Sequence, residues 1–160
     1  KSNLKNEAYA QKSIQQLFPA ELLNKAIVKK INYTSSCVAI NNGNGSFSVQ
    51  KLPAMAQLSC INIIYTNDLN GDGYPDLVLG GNQFGFMPQF ERLDASLGDV
   101  LINDGKGKFV WQDVAMTGLH IRGEVRDIVS VSTKNGPRLL FLQNDNYPLL
   151  YKPGMLNKTK

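Results

Sequence analysis

The sequence predicts a mainly β protein built from a repeated antiparallel unit and preceded by a short helical segment. Three observations carry this expectation. From Asn32 onward, short runs of β-branched and aromatic residues alternate with Gly/Asn turns, which is the grammar of an all-β fold. The phrase Asn41-Asn-Gly-Asn-Gly-Ser-Phe47 returns 62 residues later as Asn103-Asp-Gly-Lys-Gly-Lys-Phe109. Finally, the nine residues Asp68-Leu-Asn-Gly-Asp-Gly-Tyr-Pro-Asp76 separate two apolar runs of strand length.

The first thirty residues differ from the rest. Ala10, Ile14, Leu17 and Phe18 recur at helical spacing and predict a helix from about Asn6 to Phe18. Pro19 then opens a second short helix at its first position, with Leu22, Leu23, Ala26 and Ile27 on the apolar face. Residues 1–31 are therefore expected to form a helical cap, and residues 32–160 a single β region.

In that region, strands Cys37–Ile40 and Ser48–Lys51 flank the first copy of the repeated phrase, and Asp99–Ile102 and Val110–Asp113 flank the second. Asn-Gly and Asp-Gly favour the positive φ of hairpin turns, so each copy predicts a hairpin tip with Phe47 or Phe109 packed beneath it. Ile61–Tyr65 and Asp76–Gly80 are strands on either side of the nine-residue loop. Val125–Asn144 loosely copies Cys60–Asn82. Its strands Ile128–Val131 and Leu139–Leu142 are kept, but the turn Lys134-Asn-Gly-Pro137 has lost every carboxylate. Gln83–Leu97, rich in aromatic, Pro and charged residues, is expected to be a long surface insertion, which explains why the repeat exceeds the ~40–50 residues of common propeller blades.

The nine-residue loop makes the strongest chemical statement. Oxygen-bearing side chains stand at relative positions 1, 3, 5 and 9 (Asp68, Asn70, Asp72, Asp76), with the Tyr74 carbonyl at position 7. That alternation can wrap hard oxygens around one cation, and Ca²⁺ takes six to eight such ligands in a forgiving geometry. Gly71 and Gly73 permit the sharp bend. A solvated turn is the competing reading, since both dipeptides are common in turns. An EF-hand is excluded, because Leu79 replaces its bidentate Glu and the flanks read as strands. Mg²⁺ demands stricter octahedral geometry, so Ca²⁺ is preferred.

Composition sets the bounds. At 160 residues, 42% hydrophobic and 19% charged, the chain has the balance of an ordinary globular domain. The net charge of +4 comes largely from lysines near the two ends, which predicts solvation and no nucleic-acid partner. No apolar run approaches the ~20 residues of a membrane span. Cys37 and Cys60 are expected as two buried thiols, with one disulfide as the alternative. The chain begins at Lys1 without Met and shows no signal peptide, so a mature or excised piece of a longer protein is expected. Asn32, Asn44 and Asn157 head glycosylation sequons that matter only in a eukaryotic secretory setting.

Together, the metal loop followed by Leu77-Val-Leu-Gly-Gly-Asn82 and the repeated Asn-Gly-x-Gly-x-Phe hairpin resemble the FG-GAP/VCBS repeat of β-propeller proteins, relatives of the integrin α-subunit repeats. Leu17-Phe-Pro19, Leu52-Pro53, Arg92-Leu-Asp-Ala95 and Gly123-Glu-Val-Arg-Asp127 extend the likeness to the C-terminal part of secreted bacterial VCBS-repeat proteins of the ASPIC/UnbV type. The resemblance implies a mainly β fold of about two to three four-stranded antiparallel propeller-type blades, a partial propeller. It also implies a Ca²⁺ loop between the first two strands of a blade. Its ligands would be the side chains of Asp68, Asn70, Asp72 and Asp76 and the carbonyl of Tyr74. A closed propeller needs roughly four to eight blades, so the rest of a parent propeller is an expected partner.

A structural metal is expected, because three crowded carboxylates repel one another until a divalent ion cross-links them. No catalytic motif accompanies the loop. His120 is the only histidine, and there is no nucleophile elbow and no zinc spacing. Arg92, Asp94, Asp99, Arg122, Glu124, Arg126 and Asp127 are read as ion pairs and turn caps before a binding cluster. Phe84, Phe86, Phe90 and Trp111 are read as packing before a sugar platform. The expectation is a non-enzymatic calcium-binding module for a protein or glycan ligand, outside the cytoplasm and bacterial by resemblance. The alternative is an accessory domain of a secreted carbohydrate-active enzyme such as a polysaccharide lyase.

Overall fold

The fold is known from a computed structural model that describes residues 6–87 and 91–152. The chain divides into two compact units, Lys1–Thr34 and Ser35–Lys160. The first carries three short helices, α1 (Asn6–Ala10), α2 (Ile14–Leu17) and α3 (Ala20–Lys25). The continuous helix expected from Asn6 to Phe18 is thus broken. Ser13 stands at the cap of α2, where its backbone N–H donates to Gln16 Oε1 at 2.8 Å. A serine there competes with the helix interior, and so short an isolated helix is marginal without packing. Pro19 caps α3 from just outside instead of opening it. None of the residues in these three helices is buried.

The second unit is β, in three antiparallel sheets. They are β1 (Cys37–Asn41) with β2 (Phe47–Lys51); β3 (Ile61–Asn67), β4 (Asp76–Gly81), β5 (Asp99–Asn103) and β6 (Phe109–Gln112) in that order; and β7 (Val125–Thr133), β8 (Gly136–Gln143) and β9 (Leu149–Tyr151). The mainly β class therefore holds, while only the middle sheet has four strands. A 3₁₀ turn (Ala54–Gln57) and helix α4 (Val114–Thr117) occupy connections. Asp113 ends β6 a residue earlier than expected because its side chain caps α4, accepting the Ala115 N–H at 2.7 Å. At three residues, β9 is too short to show a period of its own.

Alternation along the strands places a core on each face of the middle sheet. Leu77, Leu79 and Leu101 point to one side. There they pack with Leu52 and Ala56, and with Val38 of β1, Ile61 and Phe109 at the margin. Val78 and Val100 point to the other, into a cluster with Leu119, Ile121, Val125, Ile128, Leu139 and Phe141. The sheets are consequently layered in chain order, the β1–β2 hairpin on one face of the middle sheet and β7–β9 on the opposite face. Each fully buried Leu or Phe contributes roughly 1.5–3 kcal/mol of transfer free energy.

β3 pairs with β4 through a bulge between Ile61 and Ile63, and β7 pairs with β8 through one between Val125 and Asp127. Gly80 lets these neighbouring units approach, since a Cβ there would lie 2.5 Å from Val125 Cγ1.

Three expectations require correction. Cys37 is exposed and Cys60 half-buried, both as free thiols, because Cys37 lies on the outward face of β1. Phe47 does not pack beneath its hairpin and is 61% exposed, whereas Phe109 is half-buried against the middle sheet. The sheets have two, four and three strands instead of a uniform four. Among the described residues of 83–97 a single bridge forms, Gln83 to Leu93, and Arg92 lies over the Phe84 ring at 4.9 Å.

Candidate metal centre

The nine-residue loop joins β3 to β4, and the pair Asn67–Asp76 closes it. Strands flank it on both sides, as the apolar runs required. Asp68 organises the turn. Its carboxylate accepts the backbone N–H of Gly71 at 2.7 Å and Asp72 at 3.1 Å through Oδ1, and that of Gly73 at 2.9 Å through Oδ2. These backbone donors, Gly73 foremost, outweigh desolvation and hold the Asp68 carboxyl below the ordinary aspartate value.

Asn70 and Asp72 continue the pattern one turn on. Asn70 Oδ1 accepts the Asp72 N–H at 3.0 Å, and its Nδ2 donates to Asp72 Oδ2 at 2.8 Å. Asp72 Oδ1 accepts the Tyr74 N–H at 2.9 Å. Asp68, Asn70 and Asp72 are therefore gathered along one curved stretch of backbone near solvent.

Asp76 differs from them. It is 0% exposed. Its Oδ2 accepts the Leu69 N–H at 2.8 Å and its Oδ1 the Asn103 N–H at 2.9 Å. The side chain thereby ties the base of the loop to β5, a structural task that needs no ion. Asn103 reinforces the tie by donating Nδ2 to the Pro75 carbonyl at 3.1 Å. The Tyr74 ring covers Gly105 at the tip of the β5–β6 hairpin, where a Cβ would lie 2.5–2.9 Å from it. Among the described residues, no three carboxylate, imidazole or thiol groups gather as a metal cage. The donor set is instead two carboxylates and an amide oxygen on the outer loop, with a third carboxylate engaged beneath them. All are hard oxygens, which suits Ca²⁺ and disfavours zinc or copper.

A second Asp-centred turn lies next to this loop. Asp104 Oδ1 accepts the N–H of Lys106 at 2.8 Å and Lys108 at 3.0 Å. Those hydrogen bonds, then the charges of the same two lysines, lower its carboxyl. The Asp68 turn contains no lysine or arginine. The ion pairs formed among the described residues, Arg92–Asp94 at 3.4 Å and Arg126–Glu124, lie elsewhere.

The other candidates take structural places. Trp111 donates Nε1–H to Asp99 Oδ1 at 2.8 Å, and Asp99 Oδ2 accepts Ser96 Oγ–H at 3.0 Å. Glu124 is buried under Arg126 and also receives Asn144 Nδ2 at 3.2 Å. Arg122 donates to exposed His120 Nε2 at 3.0 Å, and Asp127 caps the Ile128 N–H at 2.8 Å. Phe90 lies outside the described residues. These polar residues are dispersed into ion pairs and caps, the reading preferred from the sequence. Sequence reading overlooked Asn103 and Asn82, the latter a buried hub. Asn82 receives Ser59 Oγ–H and the Ser96 N–H, and donates to the carbonyls of Ser96 and Gly123. The available signal was an Asn at the end of β5 and one just past the end of β4, weak because Asn is common in turns.

No protein-family model, curated protein or solved structure matches this chain.

Proposed function

We propose that this chain is a non-catalytic calcium-binding module of the FG-GAP/VCBS propeller type, holding a protein or glycan ligand outside the cytoplasm. One observation carries the reading. Two neighbouring turns are each organised by an aspartate that collects backbone N–H groups. In one, Lys106 and Lys108 supply the positive charge; in the other, Asp68 and Asp72 stand together in a turn whose own residues include no lysine or arginine. A divalent ion is the natural complement of the second. Asp68, Asn70, Asp72 and the Tyr74 carbonyl would hold it, and Asp76 would brace the loop from below.

The ion's task in this reading is architectural. The loop anchors β4 and the β5–β6 tip through Asp76, Asn103 and Tyr74, so neutralising it stiffens a junction of the middle sheet. His120 and the two free thiols lie apart from it in sequence, and His120 is occupied by Arg122. Extracellular calcium sites commonly work near 10⁻⁴–10⁻³ M, which a millimolar external pool fills. The layered sheets and matching bulges support the propeller-type comparison.

The test is thermal melting in EGTA, Ca²⁺ or Mg²⁺, with Asp72→Ala as control. Asp72 is exposed, so its loss leaves Asp76's buried bonds intact. Calcium at a hundred times Kd is expected to add about 2.7 kcal/mol, or about 5–10 °C for a domain of this size. Mg²⁺ should give less, and the variant nothing. Identical melting of the natural chain in EGTA and calcium would remove the proposal.

A further inference from the structure

The two outermost sheets present opposite faces of the same repeating contact, and we infer that a second copy of this chain docks head to tail across them. The inference rests on sheet packing and is independent of the ion.

Val38 and Ile40 of β1 are the counterparts, 62 residues earlier, of Val100 and Ile102 of β5. In both sheets this face turns toward the next sheet in the chain: Val38 meets the Leu77–Leu79–Leu101 side of the middle sheet, and Val100 and Ile102 meet β7–β9. The reverse face, Leu101 with Phe109 in the middle sheet, receives the preceding one. On β1–β2 that reverse face consists of Ala39 opposite Val49 and Asn41 opposite Phe47, the counterparts of Leu101–Trp111 and Asn103–Phe109. Phe47 is 61% and Val49 58% exposed. The receiving face is open.

β7–β9 leaves the forward face open. The register aligns Leu139, Leu140, Leu149 and Leu150 with Leu77, Val78, Asp99 and Val100. Leu139 and Phe141 are buried toward the middle sheet, and Leu149 packs against that core. Leu150, at the position of Val100 and Val38, is 55% exposed, with Val129 beside it in register across Leu140. One departure is Leu142, which stands where the middle sheet has Gly80. The close approach that Gly80 permits is made by Val125 near the bulge, and β1–β2 has no counterpart of that strand.

Each open face is thus the complement of the other, and a second copy supplies both. Leu150 of one copy would sit on Ala39 and Phe47 of the next, as Val38 sits against the Leu101–Phe109 side within the chain. Such a contact is heterologous. It closes into a ring if the rotation allows and otherwise extends.

Sedimentation of the whole chain over a concentration series tests this. The natural sequence is expected to exceed its 17.7 kDa monomer mass as concentration rises. Phe47→Asp and Leu150→Asp, both at exposed positions, should each remain monomeric. Their mixture should recover a one-to-one dimer, because one intact receiving face and one intact forward face remain. Val49→Asp and Val129→Asp repeat the design should either first variant lose its β-sheet circular dichroism. A monomeric natural chain leaves the faces to a sheet from another polypeptide and overturns the inference. So do association indifferent to the variants and a mixture that fails to dimerise. Failure of the calcium shift would not bear on any of these outcomes.

Discussion

The β1–β2 and β5–β6 hairpins have the same turn but different neighbours. In each, the second tip residue donates its N–H to the residue before the phenylalanine, Asn42 to Ser46 at 3.1 Å and Asp104 to Lys108 at 3.0 Å. In each, the leading asparagine accepts the next glycine's N–H, Gly43 to Asn41 at 2.9 Å and Gly105 to Asn103 at 3.0 Å. Both glycine pairs have positive φ, 80° and 79° against 74° and 84°. The surroundings then diverge. Nothing lies within 4 Å of a Cβ at Gly43 or Gly45, whereas Tyr74 covers Gly105 and Ile40 approaches Gly107. Asn103 is buried, and Asn41 is exposed. A local sequence can specify the path of a turn without specifying what that turn supports.

This contrast makes testable distinctions. The largest effect is expected at the tether between the loop and the second hairpin. Asp76→Ala, measured in EGTA so that no ion contributes, leaves the Leu69 and Asn103 N–H groups without their acceptor. It should lower the unfolding free energy by about 3 kcal/mol in denaturant titrations. A loss under 1 kcal/mol would mean that Asp76 has no structural task apart from the ion.

Glycine replacement separates turn from neighbour. Gly43→Ala should cost about 1 kcal/mol for the positive φ. Gly105→Ala should cost about 2 kcal/mol, because its methyl also meets the Tyr74 ring. Adding Tyr74→Ala should recover the excess. Equal costs at the two glycines would show that the ring does not sit on Gly105 in solution.

Acid gives the smallest and most local difference. The folded pKa of Asp104 lies below its ordinary value of 3.8, so its contribution is complete above that pH and is lost as pH falls through the lowered pKa. The first hairpin carries no carboxylate from Asn41 to Phe47. Amide exchange of Lys106 and Lys108 should therefore quicken below about pH 4 relative to Gly43 and Ser46, after correction for intrinsic acid dependence. Asp68 predicts the same for Gly71 and Gly73. Parallel behaviour of both hairpins would argue against the aspartate as the organiser.

Much of this architecture was legible as local chemistry. Asn-Gly and Asp-Gly dipeptides announced the hairpins, alternating apolar residues announced the strands, and the spacing from Asp68 to Asp76 announced a loop built from side-chain oxygens. These features act over a few residues, through φ preference and side-chain-to-backbone hydrogen bonds, so a linear reading captures them. The boundaries moved where a side chain captured a backbone group, as Gln16 captures the Ser13 N–H and Asp113 the Ala115 N–H at helix starts.

Burial was not written locally. Phe47 and Phe109 occupy the same place in the same phrase, yet one faces solvent and the other a core, because only the second has a preceding sheet stacked upon it. Asp76 reads in sequence as one more oxygen of the loop. Leu69 reaches it from within the loop, but its tie to Asn103 comes from β5 folding beside β4, across residues distant along the chain. Backbone bonding propensities travel with each residue, but desolvation belongs to whatever neighbours the completed packing supplies.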